Sequence, residues 1–366
     1  MGLIFFRIFA QMKLLVFNPE HDIALASFSP GFTSPHAGRQ LRADLGYLPA
    51  LWATDDDLVL VDDVEGAKER YRHLKCRSSR EPHFVTRSGL RSLSRQVTQV
   101  LPWGWDPAIR HELLKAGIQE ESLPSDERLR AIRQMSSRAW AANHLQTGVL
   151  VATGMEEIDD RVRHLGRCVL KAPWSSSGRG VRYVSSSDWG SSLLRRWAEK
   201  TLQAQGCLAV EPYYDKVKDF GMEFDALPDG KVVYRGLSLF HTERGAYTGN
   251  LLATEEQKER SLAPFVSSET LSKLREDIIR EMSLYIYNVY EGPFGVDMMV
   301  YSDRGELRVN PCVELNLRRT MGHVSLSLSP SREAPFRLMA VHYDGSHYHL
   351  RVKETMLDAM EPEQWE

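Results

Sequence analysis

KAPWSSSGRGV, residues 171–181, is the stretch from which the fold can be worked out. A lysine ends a short apolar run, serines and glycines follow, and a second apolar run begins at Val181. This pattern predicts a β-hairpin with a donor-rich tip and a fixed cation at its base. Glycine amides, serine hydroxyls and a lysine are groups that suit a phosphate. By itself the stretch is more typical of a Ser/Gly-rich turn that binds nothing, so other segments must decide.

The composition is that of a globular protein. A chain of 366 residues has room for two or three domains at about 150 residues each. The net charge of -3 disfavours a dedicated nucleic-acid binder, and no segment after the N-terminus has the length of a membrane span. The 4 cysteines form no C-x-x-C pair, which indicates reduced thiols. We therefore expect a cytoplasmic protein without nucleic-acid or membrane partners; the sequence gives no sign of its oligomeric state.

The first twelve residues, MGLIFFRIFAQM, look briefly like a signal sequence. Arg7 interrupts their apolar part, and no small-residue cleavage site precedes the next predicted strand. A start codon assigned too early, with Met12 as the true first residue, explains the stretch equally well, and we favour that interpretation.

Strands alternate with helices in the first third of the chain. The apolar run 13–17 predicts a buried parallel strand, and further strands are expected at 58–61 and 83–86, with helices at 34–45 and 65–74. This alternation favours a Rossmann-like domain. Asn18 and Asp22 follow the first strand, where open α/β sheets bind ligands. They could equally well cap a turn and the next helix, and the sequence leaves both interpretations open.

The rest of the chain reads as a mixture of helices and antiparallel strands. A helix is expected over 125–146 and another over 188–205, and strands over 207–214 and 219–227 are joined by a loop at 215–218. A strand follows over 232–241. Ser268 is expected to cap an amphipathic helix that extends to about residue 288. The last clear feature is a hairpin of strands 294–302 and 306–317.

This last hairpin carries the strongest chemical signal. Asp297 interrupts an apolar strand, and Glu314, Asn316 and Arg318 alternate onto one face of the neighbouring strand. Carboxylates and an amide oxygen suit Mg²⁺, which proteins usually hold with one or two carboxylates plus nucleotide phosphates. The alternative is a solvated sheet face. Because the neighbours of both carboxylates are apolar, an unpaired charge there would be costly, and we favour the metal site.

The order of these elements resembles the ATP-grasp superfamily, from about residue 136 to residue 324. The matching elements, in order, are Ser137-Arg138 at a helix start, Lys171-x-Pro173 with its small-residue loop, Val210-Glu211-Pro-Tyr-Tyr214, Asp219 in the next strand, Gly295-x-Asp297, and Glu314-x-Asn316-x-Arg318. The resemblance implies a Rossmann-like N-terminal domain followed by an ATP-grasp fold of two α+β subdomains. The expected ranges are 12–124 for the first domain, 125–210 for the subdomain with the phosphate flap, and 211–366 for the subdomain with the metal site.

The same resemblance implies a role for each matching residue. The nucleotide would be held by Arg138 and Lys171 at the phosphates, by a flap of Ser175, Ser176, Ser177, Gly178 and Gly180, by Glu211 and the backbone to Tyr214 at the adenine, and by Asp219 at the ribose. Asp297, Glu314 and Asn316 would hold Mg²⁺, and Arg318 would orient a carboxylate or the acylphosphate made from it. Arg138 stands where many members have a lysine.

The implied activity is that of an ATP- and Mg²⁺-dependent carboxylate-amine ligase, which activates a small carboxylate as an acylphosphate and releases ADP and phosphate. Lys171 and Arg318 would be its catalytic residues, and its partners would be a small carboxylate and an amine. A small-molecule kinase on the same fold and a nucleotide-binding module without catalysis stay open as alternatives.

Overall fold

The structure is a computed structural model that describes residues 12–74, 81–175, 180–243 and 246–355. The expectations for residues 1–11, and for Ser176, Ser177 and Gly178 of the flap, lie outside the described residues. Within the described ranges, no helix is both long and apolar enough to cross a membrane.

The N-terminal third forms a parallel four-stranded sheet in the order β3-β2-β1-β4. Its strands are β1 (Met12–Val16), β2 (Leu58–Leu60), β3 (His83–Val85) and β4 (Val97–Pro102). Its helices are α1 (His21–Ser27), α2 (His36–Leu45), α3 (Val64–Leu74), α4 (Arg87–Leu93) and α5 (Pro107–Lys115). The β1 run is apolar throughout because both faces are covered: Leu15 belongs to one buried cluster, and Leu14 and Val16 belong to another. The predicted parallel α/β sheet is confirmed.

The second sheet is antiparallel, in the order β5-β8-β6-β7. Its strands are β5 (Leu150–Ala152), β6 (Arg167–Lys171), β7 (Val181–Ser185) and β8 (Leu208–Pro212), and its helices are α6 (Asp126–Met135), α7 (Arg138–His144), α8 (Met155–Leu165) and α9 (Ser192–Gln205). The single helix predicted over 125–146 is wrong. The Ser136 hydroxyl donates to the Ile132 carbonyl, and Ser137 caps α7, so two serines that compete for backbone partners divide the helix. The break makes Arg138 the first residue of α7.

The third sheet is antiparallel, in the order β10-β9-β13-β14. Its elements are β9 (Asp215–Ala226), β10 (Val232–Ser238), β13 (Gly292–Asp303) and β14 (Glu306–Asn316), with helices α10 (Glu255–Leu262) and α11 (Ser268–Tyr285). The loop predicted at 215–218 is wrong, because these residues begin β9 and pair with β13. Asp219 is therefore inside a strand. Ser267 caps α11, not Ser268 as predicted.

The fourth sheet, in the order β11-β12-β15-β16, was not expected from the sequence. It comprises β11 (Phe240–Glu243), β12 (Ala246–Leu252), β15 (Arg337–Tyr343) and β16 (Tyr348–Glu354), and helix α12 (Met321–Leu328) packs beside it. The strand predicted over 232–241 is confirmed from Val232 to Ser238, but its end is wrong, since β10 stops at Ser238 and β11 belongs to this other sheet. Met339 and Leu350 share a buried cluster with Leu15 of β1, so the fourth sheet packs on the first. The domain boundaries stay predictions.

Candidate active site

Asp297, Glu314 and Asn316 come together on the β13–β14 hairpin, as the sequence predicted. Asp297 lies directly opposite Glu314 in the antiparallel register, so the two side chains point to the same face. The Asn316 amide donates a hydrogen bond of 3.0 Å to the Asp297 carboxylate. The register shifts immediately after Asp297, which places this irregularity beside the carboxylate pair.

The donor set of this face fits a divalent cation. Burial raises the pKa of Asp297, and the negative charges of Glu314 and Glu223 raise it further, to about 8. A cation between the two carboxylates would relieve that repulsion. Within the described ranges, no group of three or more His, Cys, Asp or Glu side chains is placed to hold a metal ion. The oxygen donors on this face are two carboxylates and the Asn316 amide, a set of the kind that proteins complete with nucleotide or water oxygens around Mg²⁺.

Arg138 connects three segments of the site. One guanidinium nitrogen lies 2.5 Å from the Glu314 carboxylate, and the other donates to the Ala172 carbonyl at 2.8 Å and to the Ser175 hydroxyl at 2.6 Å. The side chain is buried. The start of α7 is therefore joined both to the base of the flap hairpin and to the carboxylate pair.

Lys171 forms a buried ion pair with Glu211. Its ammonium group lies 2.7 Å from the Glu211 carboxylate and donates to the Val313 carbonyl at 3.1 Å. Side-chain exposure is only 8% for Lys171 and 6% for Glu211. Because Val313 precedes Glu314, the lysine expected at the phosphates lies next to the strand that carries the expected metal ligands.

Tyr214 directly precedes β9, and Asp219 lies within that strand. Burial raises the pKa of Tyr214, with further contributions from Tyr301 and Glu211, and its ring packs against that of Tyr301 with the centroids 4.4 Å apart. Asp219 accepts hydrogen bonds of 2.6 Å from Lys216 and 2.6 Å from Thr242. Within the described part of the chain, the hydrogen bonds of Asp219 do not reach another predicted site residue.

Arg318 forms an ion pair with Asp22, which lies in the first turn of α1. Its guanidinium donates two hydrogen bonds of 2.9 Å to Asp22, at the start of α1. Burial alone would raise the pKa of Asp22, but the charge and hydrogen bonds of Arg318 hold it below its ordinary value. Asn18 is buried and donates to the Gly104 carbonyl and to Asp106. Asp22 therefore belongs to the site, whereas Asn18 fixes the loop.

Another buried carboxylate, Glu223, was missed by the sequence reasoning. It accepts a hydrogen bond of 2.9 Å from the Thr320 hydroxyl and lies 3.0 Å from the His323 ring. A Cβ at Gly322 would lie 1.8 Å from its oxygen, so this glycine is required by the close approach. Like Asp297, Glu223 interrupts an apolar strand, and that signal could have identified it.

The space between these groups is small. A cavity of about 10 Å³ is bounded by Asp22, Arg138, Ser175 and Glu314, and it has room for about one water molecule. The hydrogen bonds from Arg138 to Glu314 and Ser175 span this cavity. A nucleoside triphosphate would have to break these hydrogen bonds to reach the carboxylate pair.

Comparisons with known proteins identify similar folds. No family model matches the chain, and no curated protein matches it. Among solved structures, the biotin carboxylase domain of a 2-oxoglutarate carboxylase from Hydrogenobacter thermophilus, in complex with MgADP, ADP and bicarbonate, is 14% identical with a TM-score of 0.52, and the match covers 90% of this chain and 74% of that one.

Two N5-carboxyaminoimidazole synthetases are similar as well. The ribonucleotide synthetase from Thermus thermophilus is 15% identical with a TM-score of 0.50, over 90% of this chain and 82% of that one. The Staphylococcus aureus synthetase, complexed with ADP, is 11% identical with a TM-score of 0.50, over 91% and 82%. At these identities the likeness concerns the fold alone. The chain has the ATP-grasp fold that the order of its motifs predicts, preceded by a parallel α/β sheet.

Proposed function

We propose that this protein is an ATP- and Mg²⁺-dependent ligase that activates a small carboxylate as an acylphosphate for attack by an amine, releasing ADP and phosphate. The observation that carries the proposal is the convergence of cations on the carboxylate pair. Arg138 contacts Glu314 directly, and Lys171 contacts the carbonyl of the preceding residue. Such an arrangement suits phosphoryl transfer, where catalysis consists mainly of positioning and charge neutralisation.

The nucleotide would bind between the second and third sheets. Lys171 is held in place by Glu211, so its ammonium group is positioned before the phosphates arrive. Tyr214, between β8 and β9, would border the adenine, and Asp219 would accept hydrogen bonds from the ribose once Lys216 moves aside. Ser175 and Gly180, with the flap residues between them, would cover the phosphates.

Magnesium would be held by Asp297, Glu314 and Asn316. When bound, the ion would neutralise charge on the phosphates and orient them for transfer. The raised pKa of Asp297 is the support for this assignment from this chain's own residues, because two close carboxylates ionise together more readily beside a cation. Arg138 would exchange its bond to Glu314 for one to a phosphate oxygen.

Arg318 would orient the carboxylate that receives the phosphoryl group. A planar guanidinium binds carboxylates and phosphates through two parallel hydrogen bonds, which is how it binds Asp22 now. The substrate carboxylate would compete with Asp22 or lie beside it. The flap would then keep water away from the acylphosphate, which hydrolysis would waste.

The similar structures support this class of reaction. One of those proteins is a biotin carboxylase domain in complex with MgADP and bicarbonate, and another is a synthetase complexed with ADP. For the present chain we propose the same general chemistry with an unassigned acid and amine.

The experiment is a screen of paired carboxylates and amines with purified protein and Mg-ATP, in which ADP and phosphate are both measured. The proposal expects one pair that releases both products in equal amounts, and expects Glu314→Gln to abolish the release. ADP without free phosphate, together with a stable phosphorylated product, would indicate a kinase and overturn the ligase assignment. Nucleotide binding without turnover by any pair would indicate a non-catalytic module.

A further inference from the structure

A second, larger cavity lies between the first and fourth sheets. Its volume is about 490 Å³, within the roughly 300–1,000 Å³ of small-molecule sites. It is lined by the segment before β2, the end of α3, the end of α12 and the strands β15 and β16. None of its lining residues is among those assigned to the candidate active site.

The walls of this cavity are largely apolar. Tyr71 and Leu51 line it from the side of the first sheet, and Leu252, Leu328 and Leu350 line it from the opposite side. Three of these five, Tyr71, Leu252 and Leu350, are buried and belong to the cluster that joins the two sheets. A cavity of this kind accommodates a flat or branched apolar group rather than a hydrated ion.

Basic side chains occupy the same cavity. Arg70 enters from α3 and Arg337 from β15, with His73 and His349 beside them and Glu354 as the acidic residue of the lining. The Nε of Arg70 is buried and has no hydrogen-bond partner among the described residues. Arg337 donates to the Leu328 carbonyl at 2.9 Å through one nitrogen, which leaves its other nitrogens available.

Tyr47 adds a neutral donor to this lining. The residue is 3% exposed, and its hydroxyl forms no hydrogen bond with another described residue. Burial raises the pKa of Tyr47, while the Arg70 cation opposes that shift, so the phenol is protonated at neutral pH and can donate a hydrogen bond. A buried guanidinium nitrogen without a partner among the described residues is costly unless a ligand satisfies it, and the Tyr47 hydroxyl adds a donor at the wall of the same cavity.

We propose that this cavity is a second small-molecule site, specific for an organic anion with an aromatic or branched apolar body. The apolar part lies between Tyr71 and the leucines, and the anionic group accepts hydrogen bonds from Arg70, Arg337 and Tyr47. Ligands of the two sites do not compete directly for the same space, because the sites share no lining residue.

The test uses a pair of fluorescent probes that differ in charge. 8-Anilinonaphthalene-1-sulfonate carries an anionic group on an aromatic body, and N-phenyl-1-naphthylamine has the same ring system without the sulfonate. We expect the sulfonate to bind the native protein with a stoichiometry of one and at least about tenfold more tightly than the neutral probe. Saturating Mg-ATP leaves its affinity within about twofold.

Two variants assign the binding to this cavity. Arg70→Met keeps the apolar stem of the side chain and should weaken the sulfonate at least about tenfold, with less than a twofold effect on the neutral probe. Leu328→Trp places a bulkier side chain in the cavity and should weaken binding of both probes at least about tenfold. Ser327→Phe introduces a bulky side chain at an exposed position of the cavity lining. It replaces Leu328→Trp in this test if that variant lowers the melting temperature.

Three results would overturn the proposal. The first is non-saturable sulfonate fluorescence, which would indicate general exposure of apolar surface. The second is displacement of the sulfonate by Mg-ATP, which would place it in the nucleotide site. The third is unchanged affinity for the sulfonate both in Arg70→Met and in a folded Leu328→Trp or Ser327→Phe variant. Intact near-ultraviolet circular dichroism of each variant establishes that a loss of binding is not a loss of folding.

Discussion

Replacement of Lys171 by methionine separates a nucleotide contact from a structural one. The side chain has both roles in this account: its ammonium group would bind the phosphates, and in the structure it neutralises Glu211 and donates to the Val313 carbonyl. Methionine keeps most of the apolar stem and removes the charge. Two effects should therefore appear, one on stability and one on binding.

The stability effect follows from burial of the pair. The side chains of Lys171 and Glu211 are 8% and 6% exposed, so removal of the lysine cation leaves the Glu211 carboxylate charged and desolvated. This costs about 3–5 kcal/mol. At roughly 2–4 °C per kcal/mol for a large domain, the melting temperature should fall by roughly 6–20 °C. Glu211→Gln in the same chain removes the orphaned charge, so Lys171→Met/Glu211→Gln should recover more than half of that loss.

The binding effect should not recover. A hydrogen bond to a charged group contributes about 1.5–3 kcal/mol, so loss of the lysine–phosphate contact should weaken ATP about 10- to 100-fold. Calorimetric titration with a non-hydrolysable ATP analogue should show this weakening in Lys171→Met and equally in the double variant. Glu211→Gln alone should weaken binding less than Lys171→Met does, because it keeps the lysine cation while losing the contact that positions it.

Recovery of nucleotide affinity in the double variant would refute this reasoning. It would mean that Lys171 acts only by neutralising Glu211, and that the phosphates bind elsewhere. Unchanged nucleotide affinity in Lys171→Met itself would mean that the 171–181 stretch is an ordinary hairpin loop without a role in phosphate binding.

Three further predictions test other parts of the account. Asp22→Asn should lower the melting temperature by several degrees, but by less than half as much in an Arg318→Met background, because the two side chains are hydrogen-bonded. Glu314→Gln or Asp297→Asn should remove the Mg²⁺ dependence of nucleotide binding, measured by titration with and without the metal. Burial lowers the pKa of Lys258 from 10.5 to about 8. Between these two pH values the lysine is therefore protonated in the unfolded chain and neutral in the folded chain, so the folded chain gains stability as the pH rises. Urea unfolding should therefore show the parent protein gaining up to about 3 kcal/mol from pH 8 to 10.5 relative to Lys258→Met.

Each of these predictions has a control and a contradicting result. Additive effects of Asp22→Asn and Arg318→Met would exclude the ion pair. Glu306→Gln, on an exposed part of β14, is the matched control for the metal variants. If Mg²⁺ strengthened nucleotide binding as much in Glu314→Gln or Asp297→Asn as in this control, the metal assignment would be wrong. For Lys258, parallel pH profiles of the two proteins would show that its folded pKa is ordinary.

The β13–β14 hairpin was predictable because its signals are local. Asp303 and Glu306 pair across a two-residue turn, in which Arg304 and Gly305 have φ angles of 55° and 88°. Residues with positive φ at both central positions are typical of the tight turns that join antiparallel strands. Alternating side chains then bring Glu314 and Asn316 to one face, so spacing alone indicated the carboxylate pair.

Other features depend on contacts that no local pattern contains. Arg318 and Asp22 are 296 residues apart, and neither has a neighbour that indicates the other. The fourth sheet pairs β12 with β15 across more than 80 residues of sequence. The error at 215–218 has a similar cause: two lysines in four residues are typical of a loop, but pairing with β13 extends the strand through them.

The most direct test of the central claim is calorimetric titration of the protein with a non-hydrolysable ATP analogue, with and without Mg²⁺. The account predicts one site per chain, at least about tenfold tighter with the metal, and no gain from the metal in Glu314→Gln. Failure to bind the analogue, or equal affinity with and without Mg²⁺ in the parent protein, would contradict a metal-nucleotide site built on Lys171, Asp297 and Glu314.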